Sequence, residues 1–66
     1  MEGTHWKLVQ LRKEKGLTQE DVAKLLEINV STYIRKEKGE REFKFSELMK
    51  LRKILSRSLE EIFLSK

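Results

Sequence analysis

The fold is decided by residues 17–39, which read LTQEDVAKLLEINVSTYIRKEKG. Two segments of this stretch, 19–26 and 30–38, are predicted to be helical, and only three residues, Glu27 to Asn29, separate them. Thr18 precedes the first segment and Asn29 the second, and both are residue types favoured at helix N-caps. A helix, a tight turn and a second helix predict a helix-turn-helix, although the same corner also occurs in helical bundles that do not bind DNA.

Similar signals recur along the rest of the 66-residue chain, which contains no proline. Gly16 and Gly39 follow lysine-rich segments, as glycines do after helix C-termini, and Thr4, Ser46 and Ser58 are further candidate N-caps. Thr18 with Asp21, and Ser58 with Glu61, have the spacing of capping boxes. These signals predict five short helices over 5–15, 19–26, 30–38, 47–56 and 59–64.

The apolar spacing on these helices predicts one hydrophobic core. Its predicted members are Leu8, Leu11, Val22, Leu25, Leu26, Leu48, Leu51, Leu55, Ile62 and Phe63. We also expect Ile28 to fill the corner between the second and third helices, Trp6 to pack partly on the bundle, and Phe45 to pack over the start of the fourth helix. The prediction is an all-α fold, a compact five-helix bundle in a single domain spanning 1–66.

Composition excludes several classes of function. The chain has no cysteine, so it can form neither a disulfide nor a thiolate metal site. It has no apolar run of about 20 residues and no signal-peptide pattern, and we therefore expect a soluble, cytoplasmic protein. His5 is expected to face solvent near the terminus, and no nucleophile elbow, phosphate loop or metal-ligand spacing is present. We predict no enzymatic activity, cofactor, metal or small-molecule ligand.

The net charge of +4 is distributed unevenly along the chain. Residues 1–33 contain five basic and five acidic side chains, whereas residues 34–66 contain ten basic and six acidic ones. The excess of positive charge therefore lies in the second half, which is a reason to consider a polyanionic partner. A lysine-rich surface exposed to solvent explains a charge of this size equally well.

A longer run, LRKEKGLTQEDVAKLLEINVSTYIRKEKGE (11–40), resembles the Cro/repressor-type, or XRE-like, helix-turn-helix family. It has the arginine-containing first helix, the Gly-Leu-Thr-Gln motif, the Ser/Thr-rich third helix and the Glu-x-Gly ending of that family. The tail FSELMKLRKILSRSLEEIF (45–63) is similar to its closing helix pair. The resemblance covers roughly residues 6–64 and implies a lambda-repressor-like fold. Three residues depart from the pattern: Glu27 stands in place of glycine, Lys36 in place of a core aliphatic or aromatic residue, and Lys38 in place of asparagine.

The orientation of the third helix is predicted differently by hydrophobicity and by the resemblance. Hydrophobicity alone would bury Val30, Tyr33 and Ile34 together, because positions i, i+3 and i+4 share a face. The resemblance instead places Tyr33, Lys36 and Glu37 inward, with the Lys36 stem buried and its ammonium group in water. It places four residues outward, toward a DNA groove: Val30, Ser31, Ile34 and Arg35. An exposed apolar side chain can contact the methyl group of thymine, and the arginine fork matches guanine O6 and N7.

The function that the resemblance implies is sequence-specific binding of double-stranded DNA by a small transcriptional regulator, a repressor, with helix 30–38 in the major groove. The base-reading candidates are Val30, Ser31, Ile34 and Arg35, and Arg35 could equally contact a phosphate. The phosphate-contacting candidates are Gln19, Asn29, Lys38, Arg41 and Lys44, while Arg12 and Glu37 form a structural ion pair. We expect a weak homodimer. The alternative is a protein-interaction module of the same fold, such as the antitoxin of a toxin–antitoxin pair.

Overall fold

The computed structural model describes residues 3–64, which form four α-helices and a short C-terminal helical segment. The helices are α1 (Trp6–Glu14), α2 (Gln19–Leu26), α3 (Val30–Glu37), α4 (Phe45–Leu55) and α5 (Glu60–Leu64), and the backbone of α5 is wound as a π-helix. The predicted all-α, five-helix fold is confirmed. The largest difference in a boundary is at the start of α4, which was predicted at residue 47 and begins at Phe45.

The core lies where α2 packs against α3 and α4, and where α1 packs against α5. Its buried apolar residues are Leu8, Leu11, Val22, Ala23, Leu26, Tyr33, Leu51, Leu55 and Ile62. Ile28 and Phe63 are half-buried against this cluster, and Leu48 is half-buried as well. The prediction for Leu25 is wrong, because this side chain is 50% exposed. The inward face of α2 is centred between Val22 and Ala23, so the small Ala23 takes the core position that we assigned to Leu25.

Two of the predicted N-terminal caps are confirmed by reciprocal hydrogen bonds. The Asp21 N–H donates to Thr18 Oγ1 at 3.0 Å, and the Thr18 N–H donates to Asp21 Oδ2 at 2.9 Å. The Glu61 N–H donates to Ser58 Oγ at 3.1 Å, and the Ser58 N–H donates to Glu61 Oε1 at 3.2 Å. Each box satisfies two backbone groups at the junction that it closes, as the Ser/Thr-x-x-acid spacing predicts.

The caps predicted at Thr4 and Ser46 are wrong. The N-cap position of α1 is His5, which makes no side-chain cap bond, and that of α4 is Lys44. Glu47 explains the earlier start of α4, because its carboxylate accepts the Lys44 N–H at 2.9 Å. A carboxylate in the first helical turn thus holds the backbone entering α4, and Ser46 falls inside the helix.

Gly39 ends α3 and is held closely by the N-terminal segment. Its φ of +81° lies in the left-handed region, its N–H donates to the Lys36 carbonyl at 3.1 Å, and the Glu40 N–H donates to the Arg35 carbonyl at 2.9 Å. This pair of bonds is a Schellman motif. A Cβ at Gly39 would collide with the carbonyl oxygen of Gly3, so both the backbone conformation and the space favour glycine here.

Three side chains at the edge of the core differ from their predictions. His5 does not face solvent freely: it is half-buried, with its ring 5.0 Å from that of Phe63 in an edge-on arrangement. Burial lowers the pKa of His5, and the negative charge of Glu37 opposes this only in part. Trp6 and Phe45 are 63% and 74% exposed, so neither packs as predicted. No helix within residues 3–64 has the length and apolar character needed to cross a membrane.

Candidate nucleic-acid interface

The turn between α2 and α3 is closed by Glu27 in the left-handed conformation. Its φ is +61°, and the Ile28 N–H donates to the Ala23 carbonyl at 3.0 Å. Because Glu27 carries a Cβ, this conformation costs about 1–2 kcal/mol relative to the ordinary helical region. Glu27 is therefore strained at the position where the family pattern has glycine. Ile28 packs against the core directly after it, and this contact sets the angle at which α3 leaves the turn.

The inward face of α3 consists of one aromatic and two charged side chains. Tyr33 is fully buried, and Lys36 and Glu37 are only 5% and 3% exposed. The orientation implied by the family resemblance is therefore confirmed, and the simple amphipathic grouping of Val30, Tyr33 and Ile34 is wrong. Burial of two charges is tolerated on this face because each is paired with an opposite charge.

The outward face of α3 contains the four candidate base-reading residues. Ser31 and Arg35 are exposed, Val30 is 39% exposed, and Ile34 is half-buried. The only carboxylate on the helix, Glu37, is buried, so the exposed face of α3 carries positive charge and no negative charge. A helix surface with this charge, flanked by apolar atoms, can approach a phosphate-lined groove without repulsion.

Glu37 receives hydrogen bonds from three helices and fixes α3 in this orientation. Arg12 Nε donates to its Oε2 at 2.8 Å, Tyr33 Oη donates to the same oxygen at 2.8 Å, and Gln19 Nε2 donates to Oε1 at 2.8 Å. Burial by itself would raise the pKa of Glu37, but the bonds from Arg12, Gln19 and Tyr33 outweigh it and lower the pKa. Arg12 also donates to the Leu17 carbonyl at 2.8 Å. The Arg12–Glu37 ion pair is therefore part of the architecture.

Gln19 has a structural bond in addition to any bond with DNA. One N–H of its amide is taken by Glu37, which leaves a second N–H on the same nitrogen for a phosphate. The positive dipole end of α2 is already partly balanced by an anion, because the Asp21 carboxylate occupies that helix end. Hydrogen bonds from the backbone and hydroxyl of Thr18 lower the pKa of Asp21 and keep it ionised there.

A second buried ion pair, which the sequence did not predict, joins α3 to α4. Lys36 Nζ lies 2.6 Å from Glu47 Oε1, and both side chains are less than a tenth exposed. The prediction that the Lys36 ammonium group reaches water is wrong, because Glu47 provides a buried partner. Burial favours the neutral form of Glu47, but the bond from Lys36 and the Lys44 N–H outweigh it and lower its pKa. The buried stem of Lys36, which the family resemblance implies, was the one signal that such a partner was needed.

One flank of α3 forms a groove that we call the loop-side groove. Glu27, Ile28, Asn29, Thr32, Arg41 and Lys44 line it, and the Lys36–Glu47 pair lies within it. The Glu27 carboxylate is paired with Lys50 at 3.0 Å. Asn29 occupies the N-cap position of α3, but its side chain makes no cap bond. Three of the predicted phosphate-contacting residues, Asn29, Arg41 and Lys44, are therefore brought together on this flank.

The other flank forms a groove that we call the α1-side groove. The residues lining it include Thr4, Trp6, Lys13, Gln19 and Lys38, with the Arg12–Glu37 pair among them. The structure brings the two remaining predicted phosphate contacts, Gln19 and Lys38, to this side. Thr32 of the loop-side groove and Glu37 of the α1-side groove are about 140° apart around α3 at 100° per residue. The outward face of α3 thus has a groove containing lysine side chains on each flank.

Comparisons with known proteins give one result that concerns the whole bundle. A family model described as Helix-turn-helix matches residues 8–62, which is most of the chain. No curated protein and no solved structure matches this chain. The matched range includes the turn at Glu27, all of α3 and the Arg12–Glu37 pair, but not Trp6.

Proposed function

The chain belongs to the Cro/C1-type, XRE-like helix-turn-helix family of DNA-binding regulators, and we propose that it represses transcription by binding a specific DNA sequence. The family is a DNA-binding family and not an enzyme family. The observation that carries the proposal is the outward face of α3, which exposes Ser31, Arg35 and part of Val30 and bears positive charge only. α3 lies in the major groove of the operator in this proposal.

Each candidate base-reading residue has a role that fits its chemistry. Arg35 forms a bidentate contact with guanine O6 and N7, and Val30 and Ile34 pack against thymine methyl groups. Ser31 can donate to or accept from several base edges and therefore discriminates weakly. The half-burial of Ile34 limits it to the edge of the contact, whereas the exposed Arg35 side chain can extend to the floor of the groove.

The phosphate contacts lie on the two flanks of α3. Asn29, Arg41 and Lys44 bind the backbone from the loop-side groove, and Gln19 and Lys38 bind it from the α1-side groove. Contacts with phosphates fix the docking register but carry no sequence information. Because the major groove is bounded by two phosphate strands, one cationic groove on each flank of the recognition helix supports this docking.

We also propose that the protein is cytoplasmic and that two copies of the chain bind one operator as a weak homodimer. An apolar surface groove formed by residues after Gly39, with His5 beside it, supports the dimer. Its apolar lining is Phe43, Leu48, Leu59, Phe63 and Leu64. For this dimer we expect half-sites about 10–10.5 base pairs apart, centre to centre.

Selection of bound duplexes from random-sequence DNA tests the proposal directly. We expect enrichment of a two-fold repeated site with the half-site spacing above, and an affinity that falls steeply as salt is raised. A single unrepeated half-site at saturating protein would contradict the dimer. No enriched sequence and no salt-dependent duplex binding would contradict the DNA-binding role and favour the alternative, a protein-interaction module such as an antitoxin.

A further inference from the structure

The one aromatic side chain that lines the α1-side groove among residues 3–64 is Trp6, the only tryptophan in the sequence. Leu8, Leu11 and Arg12 are the buried residues of α1, and Trp6 lies about 160° from Leu8 around the helix at 100° per residue. Its side chain therefore points away from the core and is 63% exposed. The indole N–H makes no hydrogen bond to another described residue. Core packing thus accounts for little of this side chain.

The neighbours of Trp6 indicate the chemistry of a partner. Lys13 and Lys38 line the same groove, as does Gln19, whose amide retains one free N–H. The carboxylate in this groove, Glu37, is buried and paired with Arg12, so it does not oppose an incoming anion. Cations, N–H donors and one flat apolar ring together match a sugar–phosphate chain, which presents anionic oxygens and the apolar face of a deoxyribose.

We propose that Trp6 is a contact residue for the DNA backbone, with its ring against a deoxyribose and its indole N–H donating to a phosphate oxygen. The proposal rests on the proposed function, because Gln19 and Lys38 place this groove beside the DNA only if α3 enters the major groove. It extends the interface beyond α3 and the turn, onto α1. Trp6 lies outside the range matched by the family model, so the family match by itself does not account for this contact.

Substitutions of Trp6 separate its two kinds of contact. Trp6→Ala is expected to weaken binding of a mixed-sequence duplex about tenfold, which corresponds to ~1.4 kcal/mol. Trp6→Phe keeps a ring but loses the donor, and a smaller loss is expected. Because Trp6 is uncharged, the slope of log affinity against log salt should stay as in the wild type, whereas Lys38→Ala should make it shallower by about 1. Both Trp6 variants should unfold at the wild-type urea concentration, because the side chain is mostly exposed.

The fluorescence of Trp6 tests the contact independently of affinity. Acrylamide quenching of the wild-type protein is compared with and without a mixed-sequence duplex at low salt, and binding is followed separately by the anisotropy of a dye on the DNA. We expect quenching to fall by more than half on binding. The matched control, Trp6→Phe/Lys53→Trp, moves the fluorophore to the exposed outer face of α4, where quenching should not change.

The outcomes distinguish this proposal from the one it rests on. Salt-dependent duplex binding with unchanged Trp6 quenching, or with full affinity in Trp6→Ala, would overturn the Trp6 contact and leave the proposed function standing. Absence of any duplex binding at low salt would overturn the proposed function and the Trp6 contact with it. Protection of Trp6 together with weakened binding by Trp6→Ala at an unchanged salt slope would establish the contact.

Discussion

Replacing Tyr33 by alanine removes the side chain on which the orientation of α3 depends. The ring is fully buried, and large-to-small changes of buried aromatic residues cost roughly 3–5 kcal/mol. A chain of this length has a total stability of roughly 3–10 kcal/mol at 0.05–0.15 kcal/mol per residue. We therefore expect Tyr33→Ala to lose most of its stability or to be unfolded at room temperature.

Tyr33→Phe isolates the contribution of the hydroxyl group to the Glu37 network. The ring stays in the core, but the 2.8 Å bond from Tyr33 Oη to Glu37 Oε2 is lost. A hydrogen bond to a charged group contributes roughly 1.5–3 kcal/mol. Arg12 and Gln19 still donate to Glu37, so the carboxylate is not left without partners, and we expect a loss at the lower end of that range.

Two other residues of α3 complete the comparison, which is made by urea unfolding followed by far-UV circular dichroism. Ile34 is half-buried, and at about 0.8 kcal/mol per fully buried methylene we expect Ile34→Ala to cost ~1 kcal/mol. Ser31→Ala, on the exposed face, should change the unfolding free energy by less than about 0.5 kcal/mol. If Ile34→Ala were more destabilising than Tyr33→Ala, α3 would be rotated relative to this structure and its assigned DNA face would be wrong.

Three further substitutions test local features of the bundle, each by the free energy of unfolding. Glu27→Gly relieves the strain of the left-handed backbone but loses the exposed 3.0 Å ion pair with Lys50. The unfolding free energy is expected to rise by roughly 0.5–1 kcal/mol, and a decrease would contradict the strain at Glu27. Folding lowers the pKa of His5, so the folded state binds fewer protons and the free energy of unfolding should decrease as pH falls below the unfolded pKa of about 6.5. His5→Phe should lack this decrease between about pH 7 and 5. A pH profile of stability that is the same in His5→Phe and the wild type would refute the effect. Lys36→Met leaves Glu47 buried without its cation and should cost roughly 3 kcal/mol of unfolding free energy. The double variant Lys36→Met/Glu47→Gln should restore part of that loss. Equal losses in the two variants would show that the pair is not coupled.

The helices and most of the core could be predicted because local signals determine them. The capping boxes at Thr18 and Ser58 depend on side chains three residues apart, and the left-handed glycines that end α1 and α3 are visible as single residues. The orientation of α3 was predicted only through the family resemblance. Local hydrophobicity favoured a different face, because it does not indicate that the buried Lys36 and Glu37 side chains are each paired with an opposite charge.

The errors arise where contacts distant in the chain decide the outcome. Glu47 neutralises Lys36 from eleven residues away, and nothing near either residue in the sequence indicates the pairing. The early start of α4 is a local error instead, because Glu47 binds the Lys44 N–H only three residues before it. His5 is half-buried because the rings of Phe43 and Phe63, which are distant from it in the chain, pack against it. The exposure of Trp6 is different, since the helical angle between Trp6 and Leu8 could have predicted it from sequence.

The contribution of Arg35 to sequence discrimination tests the proposed interface most directly. The measurement is the ratio of affinities for a selected duplex and a scrambled duplex of the same length, for the wild type, Arg35→Ala and Lys44→Ala. If Arg35 binds a guanine, Arg35→Ala should lose about 1–3 kcal/mol on the selected duplex and little on the scrambled one, so the ratio should fall. Lys44→Ala, the matched control from the loop-side groove, should weaken both duplexes alike and keep the ratio. An unchanged ratio in Arg35→Ala, with both duplexes weakened equally, would contradict the assignment of this face of α3 to base readout through Arg35.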